Sequence, residues 1–203
     1  MSSNKVKSLY FAGTQRVSNC AWFALRNLVQ RNAVSAKGLR DFADSLMEGV
    51  RKNALEAYFH ADGDGLYLLD DRGNAIDFDI QVVKAQLAFL GYVWKDLTRE
   101  ECLPFDENTL ELAKLQGDAE SEVRRFLIRV DTLDDPPAAH YAVLLIGGVK
   151  QSSRPVRWLD SLRPQPRMYW TYEEFIKEES SNYSRVKGVY EMVEMVRYFP
   201  CMC

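Results

Sequence analysis

Histidine is scarce in this chain, with two in 203 residues, and cysteine is little commoner, with four. The cysteines, at positions 20, 102, 201 and 203, form no C-x-x-C pair and stand far in sequence from His60 and His140. The ligand spacing of a zinc site is therefore missing, and no metal or cofactor is expected. So sparse a set also excludes a small disulfide scaffold; the chain reads as a cytoplasmic protein of a reducing compartment, with Cys20 a free thiol. Charge of one sign is not in excess: 26 basic against 29 acidic residues give a net charge of −3, without the basic footprint of a nucleic-acid binder. No apolar run approaches the ~18 residues of a membrane span. The opening MSSNKVKSLYFAG lacks the long apolar segment of a secretory signal, and the closing PCMC lacks both a C-a-a-X box and a flanking basic run. One aspartate-rich turn, HADGDG from His60 to Gly65, has Leu66 where a calcium loop needs a polar ligand, so calcium is not expected either.

What is present suits one domain over residues 1–203, with an apolar fraction of 47% that can close a core. A helix is expected from about Cys20 to Arg31, capped by Ser18 or Asn19 and striped by Trp22, Leu25, Leu28 and Val29. A second follows Ser35, with Leu39, Phe42, Leu46 and Val50 three and four apart and a highly charged opposite side; residues 35–59 read as a helical arm standing off the body. A third lies in FDIQVVKAQLAFLGYVW, with Ile80, Val83, Leu87 and Leu90 as its stripe and Gly91 as its stop. From about Ser121 branched and aromatic residues take over in VRRFLIRV, HYAVLLI, VRWLDSL and VKGVYEMVEMVRYF, which suit strands. A short helix interrupts them at TYEEFIKEE, opened by a capping box of Thr171 and Glu174. Helices first and an antiparallel sheet after them give an α+β class.

The position of Cys20 raises a chemical question. The positive end of a helix dipole favours a thiolate there, yet a lone cysteine at the start of a core helix is commonly structural, so a base is needed. His60 falls in a turn of glycine and aspartate that reads as solvated. His140 opens a strand, and a hairpin symmetric about Lys150 would pair Leu144 with Val156, Ala142 with Trp158 and His140 with Asp160. Directly opposite residues have Cβ atoms ~4.5–5.5 Å apart, so that register sets a carboxylate beside the imidazole. The carboxylate would fix the ring's orientation while the free nitrogen takes the thiol proton. Gln15, five residues before Cys20, could stabilise an oxyanion together with the Cys20 amide. A buried structural His–Asp pair would look the same in sequence.

The order of glutamine, cysteine at a helix start, then histidine and aspartate on adjacent strands resembles the papain-like cysteine peptidases, and among them the Josephin family of deubiquitinases. The segments that carry the likeness are TQRVSNCAWFALRNLVQ, FDIQVVKAQLAFLG, the His140–Tyr141 pair and WLDSL, which together bracket most of a Josephin domain. In that family a glutamine lies five residues before the catalytic cysteine, the following helix closes on a run like Asn27–Gln30, an aromatic residue follows the histidine, and a Ser-Leu pair follows the third catalytic residue. Position 160 is Asp where several relatives carry Asn, and the connection from His140 to Asp160 is somewhat longer than usual.

The resemblance implies a papain-like fold with N-terminal helices, including the arm, packed on a C-terminal antiparallel sheet. It implies a monomeric ubiquitinyl hydrolase that cleaves isopeptide or peptide bonds after the terminal Gly-Gly of ubiquitin or polyubiquitin. Cys20 would be the nucleophile, His140 the base and then the acid, Asp160 the residue that orients His140, and Gln15 the oxyanion donor. Phe42, Leu46 and Val50 on the arm, with Tyr141 and Trp158 beside the catalytic residues, would be substrate contacts. Another papain-like thiol peptidase or acyl transferase, or a ubiquitin-binding module without catalysis, are the competing readings.

Overall fold

The computed structural model describes residues 20–30, 34–52, 66–69, 75–76, 78–98, 103–106, 123–134, 138–147 and 156–194. Ala21, Ala24, Leu25 and Leu28 recur at helical spacing, and they form the buried stripe of α1 (Cys20–Val29). The helix stops on Gln30, whose φ of 55° is left-handed. The Gln30 side-chain amide donates to the Asn27 carbonyl at 2.5 Å, so an orphan carbonyl of the last turn is satisfied without a glycine.

Helix α2 (Ala36–Lys52) begins at Ser35, whose hydroxyl accepts from the Gly38 amide at 2.9 Å. Leu39 and Ala43 are fully buried, and Phe42 and Leu46 pack half-buried against the same core. Trp22 Nε1 donates to the Val34 carbonyl at 2.8 Å, tying the approach to α2 onto α1. The first half of α2 is thus seated on the core through its Leu39–Ala43 stripe. Residues 53–59 of the arm lie outside the described residues.

A short hairpin, β1 (Leu68–Leu69) with β2 (Ala75–Ile76), leads to α3 (Ile80–Phe89), capped by Asp79, whose carboxylate accepts from the Gln81 amide at 2.7 Å. Gly91, with φ of 89°, ends the helix as expected and turns the chain at once into β3 (Tyr92–Asp96), a strand that the sequence reading leaves out. The other strands are β4 (Leu103–Pro104), β5 (Arg124–Thr132), β6 (Ala139–Ile146), β7 (Val156–Leu159), β8 (Arg167–Tyr169) and β9 (Tyr183–Glu194), with α4 (Tyr172–Glu179) between the last two. The seven strands β3 to β9 make one antiparallel sheet in the order β3-β9-β5-β6-β7-β8, with β4 also on β9. The class is α+β, and among the described residues no helix is long and apolar enough to cross a membrane.

Both faces of the central strands are covered. Tyr141, Val143 and Leu145 of β6 pack with α1, α2 and α3, while Ala142, Leu144 and Ile146 pack with Tyr172, Phe175 and Ile176 of α4. That is why β6 reads as a continuous apolar run rather than an alternation. The capping box of α4 forms with one change: Thr171 accepts from the Glu174 amide at 3.1 Å, and Glu174 reaches back to the Trp170 amide at 2.7 Å, one residue beyond the cap.

The seam between α3 and the sheet edge holds a buried lysine. Lys84 Nζ lies 4.0 Å from the centre of the Trp94 ring, 4.4 Å from that of Tyr190 and 3.7 Å from Asp96 Oδ2. Burial lowers the Lys84 pKa, and the Asp96 carboxylate opposes that shift. The Tyr190 ring can lie there because residue 188 is glycine: a Cβ on Gly188 would come 2.7 Å from Cε2 and Cζ of Tyr190. Gly188→Ala should therefore push the ring out of its seat and cost about 1–3 kcal/mol, read as a lower urea midpoint at unchanged slope. An unaltered midpoint would show that Tyr190 can move aside freely.

Candidate active site

Antiparallel pairing brings the end of β5, the start of β6, the end of β7 and the start of β9 to one end of the sheet. His140 is the second residue of β6, Asp160 directly follows β7, and Tyr183 opens β9. The register between β6 and β7 differs from the sequence expectation. Leu144 pairs with Trp158 and Ile146 with Val156, a displacement of two residues that sets His140 and Asp160 diagonally rather than face to face. An even displacement leaves every side chain on its own face, so alternation of apolar residues could not distinguish the two registers. A diagonal neighbour stays within reach of a long or aromatic side chain.

The imidazole closes that diagonal: His140 Nε2 and Asp160 Oδ1 are 2.8 Å apart, and both residues are buried, at 3% and 2% exposure. Oδ1 also accepts from the Leu162 amide at 2.9 Å, an Asx turn that ends the strand. Oδ2 accepts from the Tyr183 hydroxyl at 2.5 Å and from Arg163 Nε at 3.3 Å. The Tyr183 ring lies parallel to the imidazole, with centroids 6.4 Å apart. Cys20, buried at the first position of α1, lies near enough to the imidazole to act on its ionisation.

Burial alone would lower the His140 pKa. The hydrogen bonds to Asp160 and Cys20, together with the negative charge of each, outweigh it and raise the pKa to about 9. For Asp160, burial would raise the pKa; the His140 hydrogen bond and charge, the Tyr183 hydroxyl and the Leu162 amide outweigh that and lower it to about 2. At neutral pH the pair is imidazolium and carboxylate. The raised imidazole pKa stabilises the fold fully below the ordinary 6.5 and stops doing so as pH rises through about 9. The lowered carboxylate pKa stabilises it above the ordinary 3.8 and stops doing so as pH falls through about 2.

Cys20, His140 and Asp160 thus meet at one point, while Gln15 and His60 lie outside the described residues. Of the expected substrate contacts, Phe42 and Leu46 are half-buried in the helical core, and the Val50 side chain lies outside the described part. Tyr141 and Trp158 are corrected: at 1% and 0% exposure they are sealed between sheet and helices and present no surface to a substrate. Their strands are covered on both faces, which a one-sided pattern of alternation does not anticipate. Sequence reasoning missed Tyr183, Arg163 and Glu179, which gather around Asp160; the single cue was an arginine three residues after it. Among the described residues no cluster of histidine, cysteine or carboxylate could hold a metal ion. The sequence matches no family model and no curated protein.

Two histidines make the electrostatics directly measurable, since His60→Gln identifies the other resonance. The His140 imidazole should titrate by NMR with a midpoint near 9 rather than 6.5. Asp160→Asn should drop the midpoint strongly and Cys20→Ala should drop it too, because each removes a stabilising partner from the cation. A midpoint unmoved by both would mean that the imidazole is not held between them.

Proposed function

We propose that this chain is a papain-like thiol hydrolase whose substrate is ubiquitin joined through its terminal Gly-Gly to a lysine or a peptide. The observation that carries the reading is the shared imidazole: His140 Nε2 is held by Asp160, and Cys20, at the head of a core helix, acts on the same ring. The imidazole is placed to exchange a proton with the sulfur, and the thiolate is the nucleophilic form. Cys20 Sγ attacks the carbonyl carbon, and the oxyanion gathers its donors from the Cys20 amide and Gln15. The imidazolium then gives its proton to the departing amine as the C–N bond breaks, leaving a thioester. His140, now neutral, takes a proton from water, whose oxygen attacks the acyl carbon and releases the carboxylate and Cys20. Asp160 keeps the ring in place through both halves of the cycle. Ubiquitin as the acyl donor is supported by the segments around Gln15–Cys20, His140–Tyr141 and Asp160–Leu162 that resemble the Josephin family. Leu162, half exposed just past Asp160, is the apolar surface nearest the carboxylate in sequence.

A ubiquitin bearing a C-terminal electrophile should label the intact protein on Cys20, located by mass mapping, and Cys20→Ala should abolish both labelling and isopeptide cleavage. Gln15→Ala should lower kcat about 10²–10³-fold. Activity against pH should be bell-shaped, its alkaline limb falling through about 9 as the imidazolium is lost. Peptide cleavage without ubiquitin labelling would redirect the assignment to a general thiol peptidase; ubiquitin binding without any cleavage would leave a binding module.

A further inference from the structure

Behind Asp160 stands a second carboxylate that the proposed chemistry does not use. Glu179, the last residue of α4, is 0% exposed. Arg163 Nη2 donates to its Oε2 at 3.1 Å while Arg163 Nε donates to Asp160 Oδ2 at 3.3 Å, so one guanidinium spans both carboxylates. Arg167 Nη1, 3.4 Å away, and the Tyr169 hydroxyl meet Glu179 Oε1, and Asn182 Nδ2 meets Oε2 at 3.2 Å. Arg167 also lies 3.6 Å from Glu178. A buried charge with this many partners is costly to assemble, and fixing one guanidinium at Asp160 is a use for it.

We infer that Arg163 and Glu179 are a positioning pair for the catalytic carboxylate, in which Arg163 anchors Asp160 Oδ2 and Glu179 draws off the charge of Arg163 so that Asp160 stays committed to His140. The inference rests on the reading of Cys20, His140 and Asp160 as the reacting centre. Its logic is electrostatic. His140 and Arg163 are both cations on one buried carboxylate, so each weakens the hold of the other. Glu179 offsets Arg163 from the far side. Among the described residues, ionisable groups that also face this cluster are Cys20 from α1, Tyr183 from β9, Arg167 and Tyr169 from β8, and Glu178 from α4.

The two single substitutions should therefore move the site in opposite directions. Glu179→Gln leaves Arg163 uncompensated beside Asp160 and should lower the His140 midpoint by on the order of one pH unit. Arg163→Gln keeps a donor but removes the competing cation, and should raise it. The double variant, with both charges gone, should return toward the wild-type value. Three readouts serve: NMR titration of the imidazole, the pH dependence of Cys20 alkylation by iodoacetamide followed by intact mass, and the alkaline limb of ubiquitin-probe cleavage. The first two need no ubiquitin activity, so a mistaken substrate would silence the third alone. Shifts of the same sign, or melting temperatures that fall while the His140 midpoint stays fixed, would overturn the inference and leave the pair a structural ion bridge. Should Glu179→Gln fail to fold, Arg163→Gln against the double variant still decides: equal midpoints in the two would exclude a role for Glu179.

Discussion

A carboxylate removed from water must be repaid in hydrogen bonds, and the arrangement around Asp160 follows from that demand. An isolated charge in such a place would cost several kcal/mol and would instead be neutralised. Asp160 keeps its charge because an imidazolium, a backbone amide, a phenol and a guanidinium converge on it, and those donors come from β6, from the turn after β7 and from β9. The candidate site is thus a product of the sheet: it needs three strand ends to arrive together.

The topology supplies that convergence. With β5 and β6 central, the ends of β5 and β7 and the starts of β6 and β9 share one end of the sheet. Packing of α1 against β6 then brings its first residue toward the same end. The apolar faces of α1 and β6 therefore serve the candidate site, since burial of Leu25, Leu28, Tyr141 and Val143 fixes where the helix begins relative to the strand. The same close cover seals Tyr141 and Trp158 away from substrate.

Much of this was legible in the residues and some was not, for separable reasons. Helix starts announce themselves through local hydrogen bonds: α2 follows Ser35 as the sequence says, and Thr171 caps α4 where it should. Strand β3 escaped because five residues after a helix-ending glycine carry no pattern of their own; they become a strand through pairing with β9, a hundred residues away. The partners of Asp160 escaped for a similar reason. Tyr183 is brought to it by the pairing of β9 with β5, and Glu179 is brought to its neighbour Arg163 by α4, neither of which leaves a mark at position 160.

The displaced hairpin register shows why the His140–Asp160 pairing could be inferred from an alignment that was itself off. In a pleated strand the face is set by parity, while the exact partner is set by the loop. Parity alone puts Trp158 and Asp160 on the face of His140, and two registers related by an even slip satisfy the apolar pattern equally. What separates them is the local turn at Asp160, whose carboxylate takes the Leu162 amide and so holds one oxygen at the strand end. From a directly opposite position the two side chains would need little reach. From the diagonal they must lean toward each other, and that lean is held by the partners on Oδ2. Tyr183 and Arg163 thus bear on the geometry of the proposed site through the orientation of a single carboxylate, which makes the support of that group as much a part of that site as the group itself.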